Sequence, residues 1–216
     1  MIKNIQKKKN EILFVIKNEI HEIDAKYKTG KSLDKYKIVL NNRKLENNVK
    51  DYISDYLLNI YETLIAWDMN KRGAKLLKLP EIMQSFKKNT EWFMELEGIG
   101  TDITKIKESD LETIKIILCK LYYELDLMKS DARLVSFSKT MHFIFPNLFM
   151  PMDRQNTLRY FYNNHNESFN KYFEIFTFFL SIAHEEIEWK EIIGKEQWNT
   201  TIPKIIDNAI ILQMKK

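Results

Sequence analysis

Apolar residues recur at intervals of three and four along most of this chain: Ile12, Leu13, Ile16, Ile20 and Ile23 first, then Val49, Ile53, Tyr56, Leu57, Ile60, Leu64 and Ile65. Residues so spaced share one face of an α-helix, so the pattern predicts amphipathic helices with lysines on their outer sides. Only five Gly and four Pro occur in 216 residues, too few for a turn-rich β protein. Hydrophobic residues make up 44% and aromatics 12%, enough to fill a core without disulfide or metal staples. The expected fold is all-α, a single globular multi-helix domain over residues 1–216, with 1–100 and 101–216 as candidate sub-lobes.

Several function classes lose their footing at once. The one cysteine, Cys119, sits in the apolar run LETIKIILCKLYYEL and reads as a small buried hydrophobe. The absence of a disulfide framework suits a reducing cytoplasm. The basic N-terminus leads into an apolar run too short for a signal peptide or membrane span, and FEIFTFFLSIA at 173–183 reads as a core helix. The four histidines, at 21, 142, 165 and 184, lack zinc-site spacing, so no metal is expected. No glycine loop cradles phosphates, no nucleophile elbow surrounds Ser136 or Ser138, and no motif asks for a cofactor.

Net charge is +4, which permits nucleic acid without demanding it. Basic residues concentrate in KYKTGKSLDKYKIVLNNRK, residues 26–44, beside one acid, Asp34. This stretch reads as a connector that is either a solvated surface or a phosphate-contacting patch. Asp68, Asn70, Lys71 and Arg72 follow Trp67 in a glycine-bearing turn, which reads as a capped helix end or a polar site. Further helix starts are expected at Pro80, Thr90, Ser109 with Glu112, Ser130 or Asp131, Asp153, Asn166 or Glu167, and Thr201, with a break at EGIGTD, 97–102.

Chemistry gathers in SFSKTMHFIFPNLFMPMDRQNTLR, residues 136–159. Lys139 stands on an otherwise apolar helix, where desolvation favours the neutral amine, a nucleophile toward a sugar C1′. Asp153 opens the next helix, where a carboxylate stays ionised and stabilises positive charge developing on a sugar. The structural alternative makes Lys139 a snorkelling surface lysine, Asp153 a helix cap and Arg154 half of an ion pair.

The segment SKTMHFIFPNLFMPMDRQNTLRYF resembles the lysine-to-aspartate segment of the helix-hairpin-helix DNA glycosylase superfamily. It resembles more closely uncharacterised bacterial proteins with Ser-Lys, His-Phe, Pro, Pro and Asp-Arg in this order. The resemblance covers about 25 residues and implies an all-α fold with DNA across a groove and the target base flipped out, Lys139 and Asp153 matching the catalytic pair. Residues 132–138 hold none of the family's hairpin glycines; a similar turn, Leu96 to Gly100, ends 39 residues before Lys139.

Three functions follow. In the first, the chain is a glycosylase-like enzyme on double-stranded DNA with Lys139 and Asp153 catalytic. Lys26, Lys28, Lys31, Arg43, Lys44, His142, Arg154 and Arg159 would contact nucleic acid, and Phe143, Phe149 and Tyr160 would stack on the base. In the second it binds nucleic acid without chemistry. In the third it is a helical interaction domain that meets a protein partner through the aromatic helix 169–189. No membrane partner is expected.

Overall fold

The structure, a computed structural model, describes residues 1–27, 30–46, 48–71 and 75–216. Among them are twelve α-helices. They are α1 Ile5–Asn18, α2 Ile23–Lys26, α3 Lys31–Leu45, α4 Val49–Ala66, α5 Leu79–Lys88 and α6 Thr90–Ile99. Then come α7 Leu111–Glu124, α8 Leu134–Ile144, α9 Arg159–Tyr162, α10 Phe169–Ala183, α11 Trp189–Ile192 and α12 Ile202–Met214. A π-helical turn, Arg154–Leu158, leads into α9. The described residues hold no strand, only an antiparallel bridge between Leu76 and Met128. None of the described helices is long and apolar enough to cross a membrane.

From Lys31 onward the lysine-rich stretch is a helix rather than a connector. Its basic side chains hide a second pattern, Leu33, Tyr36, Val39 and Leu40, which are buried and seat α3 against α4. Each such side chain contributes about 1.5–3 kcal/mol by leaving water, more than exposed lysines oppose. Helix α8 runs through the middle, packed on α3, α4 and α10, and nine of its eleven residues are buried. Helix α12 packs on α1 and α10 and is buried almost all round, Lys204, Asp207 and Asn208 included.

The aromatic residues of α10 correct another expectation. Phe169, Tyr172, Phe176, Phe178 and Phe179 are all core and Phe173 is partly buried, so this helix offers little aromatic surface to a protein partner.

Some caps are as the sequence places them: Asp153 accepts from Asn156 N, and Thr201 from Lys204 N. Others are not. Ser168 rather than Asn166 or Glu167 caps α10, and Glu167 instead reaches across to accept from Leu134 N at 2.8 Å, serving the start of α8 in place of Ser130 or Asp131. Helix α6 ends at Gly100, whose φ of 154° lies where a side chain is strained, and a Cβ added there would meet Ile106 Cδ1 at 3.3 Å.

Arg43 is bound into this frame. Its Nε donates to Ile144 O at 2.8 Å, Nη1 to Glu46 O at 2.9 Å and Nη2 to Glu97 Oε1 at 2.6 Å. Glu97 also accepts from Val49 N at 2.9 Å, capping α4 from a distance. Glu97→Ala therefore removes the charged partner of the Arg43 guanidinium and the acceptor of Val49 N, and about 2 kcal/mol of stability should be lost. Urea unfolding checks this; a loss under about 0.5 kcal/mol, within the scatter of ordinary surface substitutions, would sink it.

Candidate active site

Helix α8 and the loop that follows it are laced together before any functional group is considered. Ser138 Oγ accepts from Met152 N at 3.0 Å and donates to Val135 O at 3.1 Å. His142 Nδ1 lies 2.7 Å from Phe149 O; a carbonyl only accepts, so Nδ1 carries the proton and Nε2 accepts from Tyr36 Oη at 2.6 Å. Thr200 Oγ1 sits 2.8 Å from the same hydroxyl. Complete burial pushes the His142 pKa down to about 3.

With the loop pinned, Lys139 and Asp153 reach the wall of one cavity of about 360 Å³. Lys139 is mostly buried, and its Nζ donates to Trp67 O at 3.0 Å, a carbonyl just past the C-terminus of α4 where the helix dipole favours a cation. Its ammonium lies 5.6 Å from the centroid of the Trp67 ring. Burial lowers the Lys139 pKa; the charges of Asp153, Asp207 and Asp68 oppose this and that of Lys204 adds to it. Asp153 is held at both oxygens by one residue: Oδ1 accepts from Asn156 N at 2.5 Å and Oδ2 from Asn156 Nδ2 at 2.7 Å.

The walls are aromatic. Tyr27, Trp67 and Trp198 line the cavity with Met152 and Ile211. Trp67 Nε1 donates to Ser32 O at 3.2 Å, tying the end of α4 to α3. Trp198 is placed by Asp24, whose carboxylate accepts from Gln197 N at 2.8 Å and Trp198 N at 3.3 Å.

A second lysine and aspartate, from α12, complete the lining. The Lys204 and Asp207 side chains are 3% and 6% exposed, and Lys204 Nζ donates to Asp207 Oδ2 and to Asn208 Oδ1, both at 2.7 Å. The ammonium also stands 5.4 to 5.8 Å from the ring centroids of Trp198, Tyr27 and Trp67. At such distances ring faces attract a cation, the more so when it is desolvated. Burial raises the Asp207 pKa and the Lys204 charge opposes it.

The residues named from sequence divide. Lys26 and Lys31 are exposed and flank the lining residues Tyr27 and Ser32, and exposed Arg154 follows Asp153. Arg154 also pairs with Glu167 at 2.6 Å. Arg159 is exposed and does not line this cavity, and Lys28 lies outside the described residues. Lys44 and Arg43 border a separate cavity of about 670 Å³.

Five placements are corrections. Arg43 is only 12% exposed and its guanidinium is spent on the fold. His142 is fully buried and holds the core together, so it does not face nucleic acid. Phe143 and Phe149 are also fully buried, Phe143 edge-on to Trp67 at 4.9 Å and Phe149 against Phe176 at 5.3 Å, leaving no face for a base. Tyr160 is 8% exposed, its hydroxyl donates to Glu11 and Lys8 covers its ring at 4.1 Å.

Sequence reasoning missed Tyr27, Trp198, Lys204 and Asp207 as neighbours of Lys139. A signal existed in IPKIIDNAIILQM, where two charges three residues apart interrupt an otherwise apolar helix. No protein-family model, curated protein or solved structure matches the chain.

Proposed function

We propose that this protein binds a nucleotide whose base enters the Trp67–Trp198 cavity and that it cleaves the N-glycosidic bond, as a DNA-binding, glycosylase-like enzyme. The observation carrying this reading is that Lys139 and Asp153 line one aromatic-walled cavity. In its neutral form the Lys139 amine attacks C1′ and the bond from C1′ to the base nitrogen breaks; the base leaves with the electron pair and takes up the proton that the newly alkylated amine sheds, and water then releases the sugar from Lys139. Asp153 opposes the positive charge growing on the sugar. A volume of about 360 Å³ lies within the range of small-molecule sites. In a duplex the base must first swing out of the stack, and Lys26, Lys31 and Arg154 are the cations best placed to hold the flanking phosphates.

A binding module without chemistry is the second reading. What favours it is Asp153, both of whose oxygens are already engaged by Asn156.

The test compares an intact duplex with one bearing an abasic-site analogue, at low and moderate salt. At least tenfold tighter binding to the analogue, about 1.4 kcal/mol, is expected of the enzyme. Lys139→Ala should abolish base release while circular dichroism shows the fold intact. A fully active Lys139→Ala/Asp153→Asn protein would remove the catalytic reading, and equal, salt-sensitive binding of both duplexes would leave the module.

A further inference from the structure

On α12, one carboxylate oxygen and one ammonium proton are left over inside the cavity. Asp207 is 4% exposed and lines the cavity, and its Oδ2 takes the Lys204 proton; its Oδ1 has no hydrogen-bond partner among the described residues. Lys204 also lines the cavity and has three N–H bonds, of which Asp207 and Asn208 occupy two. The spare groups stand side by side because Lys204 Nζ and Asp207 Oδ2 are 2.7 Å apart. An ionised carboxylate only accepts and an ammonium only donates. A ligand meeting both must therefore present a donor beside an acceptor, in one order.

We propose that Lys204 and Asp207 form the specificity-determining edge of this site and select a planar lactam, a ring N–H next to a carbonyl, as in oxopurines and oxopyrimidines. This deepens the reading above and rests on it for the site's purpose. The ring N–H donates to Asp207 Oδ1 and the carbonyl accepts from Lys204. The ring lies flat on one indole, because Trp67 and Trp198 are inclined by 55° with centroids 6.2 Å apart and cannot sandwich it. Ligands lacking the N–H leave Asp207 Oδ1 without a partner inside the site, which is how polar sites reject near-isosteres strongly.

The probe is 9-methylhypoxanthine, which carries one lactam edge and no glycosidic bond. Its binding is thus read separately from any cleavage by Lys139 and Asp153. Calorimetry on the full chain should show binding that weakens at least fivefold for 1,9-dimethylhypoxanthine, in which the N–H is blocked. Asp207→Asn should weaken binding of the parent probe at least fivefold. Should Asp207→Asn fail to fold, Lys204→Met/Asp207→Leu replaces the pair with apolar groups of similar size and should bind neither probe. No binding of 9-methylhypoxanthine, or a smaller change on blocking the N–H, overturns the proposal. Lactam binding without any base release from DNA would leave it standing and remove the glycosylase reading.

Discussion

Asp207→Ala is expected to cost about 3–5 kcal/mol of folding stability, the usual result of leaving one charge of a buried pair alone. Lys204 would keep its hydrogen bond to Asn208 and its aromatic surroundings, but with 3% exposure it could not regain water. For a chain of this length such a loss lowers the melting temperature by roughly 10 °C. Lys204→Met/Asp207→Leu should behave differently. Removing both charges together leaves no orphan, and replacements of this kind are often neutral or stabilising. Thermal unfolding of the two variants decides it. If the double variant falls as far as the single one, the pair is a structural necessity, and its place beside the cavity says less about ligands. If the double variant holds, the chain keeps an ion pair that its stability does not require.

A second large effect should appear on acidification. His142 is neutral in the fold because burial depresses its pKa to about 3, whereas an unfolded histidine titrates near 6.5. Above that value neither state binds the proton, and the contribution to stability is complete. As pH falls below it, only the unfolded chain takes up the proton. Stability then drops by about 1.4 kcal/mol per pH unit down toward pH 3, or roughly 3 kcal/mol between pH 6.5 and 4.5. Asp207 acts with the opposite sign: its raised pKa lets the folded form accept a proton first, which offsets part of the loss at the acid end. Nuclear magnetic resonance of the imidazole reads His142 directly, since His21, His165 and His184 are exposed. Titration of the His142 ring near pH 6.5 in the folded protein would show that the Tyr36 and Phe149 contacts do not hold it neutral.

What the sequence discloses is periodicity and local stops. The helix of residues 49–66 follows from Val49, Ile53, Leu57, Ile60 and Leu64, and Asp153 caps the turn after Pro151 as its position suggests. Lys139 and Asp153 are fourteen apart with proline turns between them, so their sharing a wall was readable. The α12 pair was not, because it lies about 50 residues further on and meets Lys139 only through tertiary packing. Glu167 serving the start of α8 escapes sequence reading for the same reason. Phe143 and Phe149 mislead because aromatic residues a few positions from a proline look alike in sequence whether they face a groove or a core. In α3, charge density masks the four apolar positions that decide its fold.

The ties from Ser138 and His142 to the loop at Phe149 and Met152 also bear on how the site moves. Two hydrogen bonds of 3.0 and 2.7 Å fix that loop to the helix carrying Lys139, so Lys139 and Asp153 belong to one stiff piece. Trp67 is joined to that piece by the 3.0 Å bond from Lys139 Nζ to its carbonyl, and to α3 by its own 3.2 Å bond to Ser32 O, with Ser32 Oγ bonded to the adjacent Ala66 O at 2.9 Å. Amide exchange should register this as slow exchange along residues 138–152; exchange there as fast as in exposed loops would sink it. A ligand entering the cavity meets Lys139, Asp153 and Trp67 already held in place by the fold.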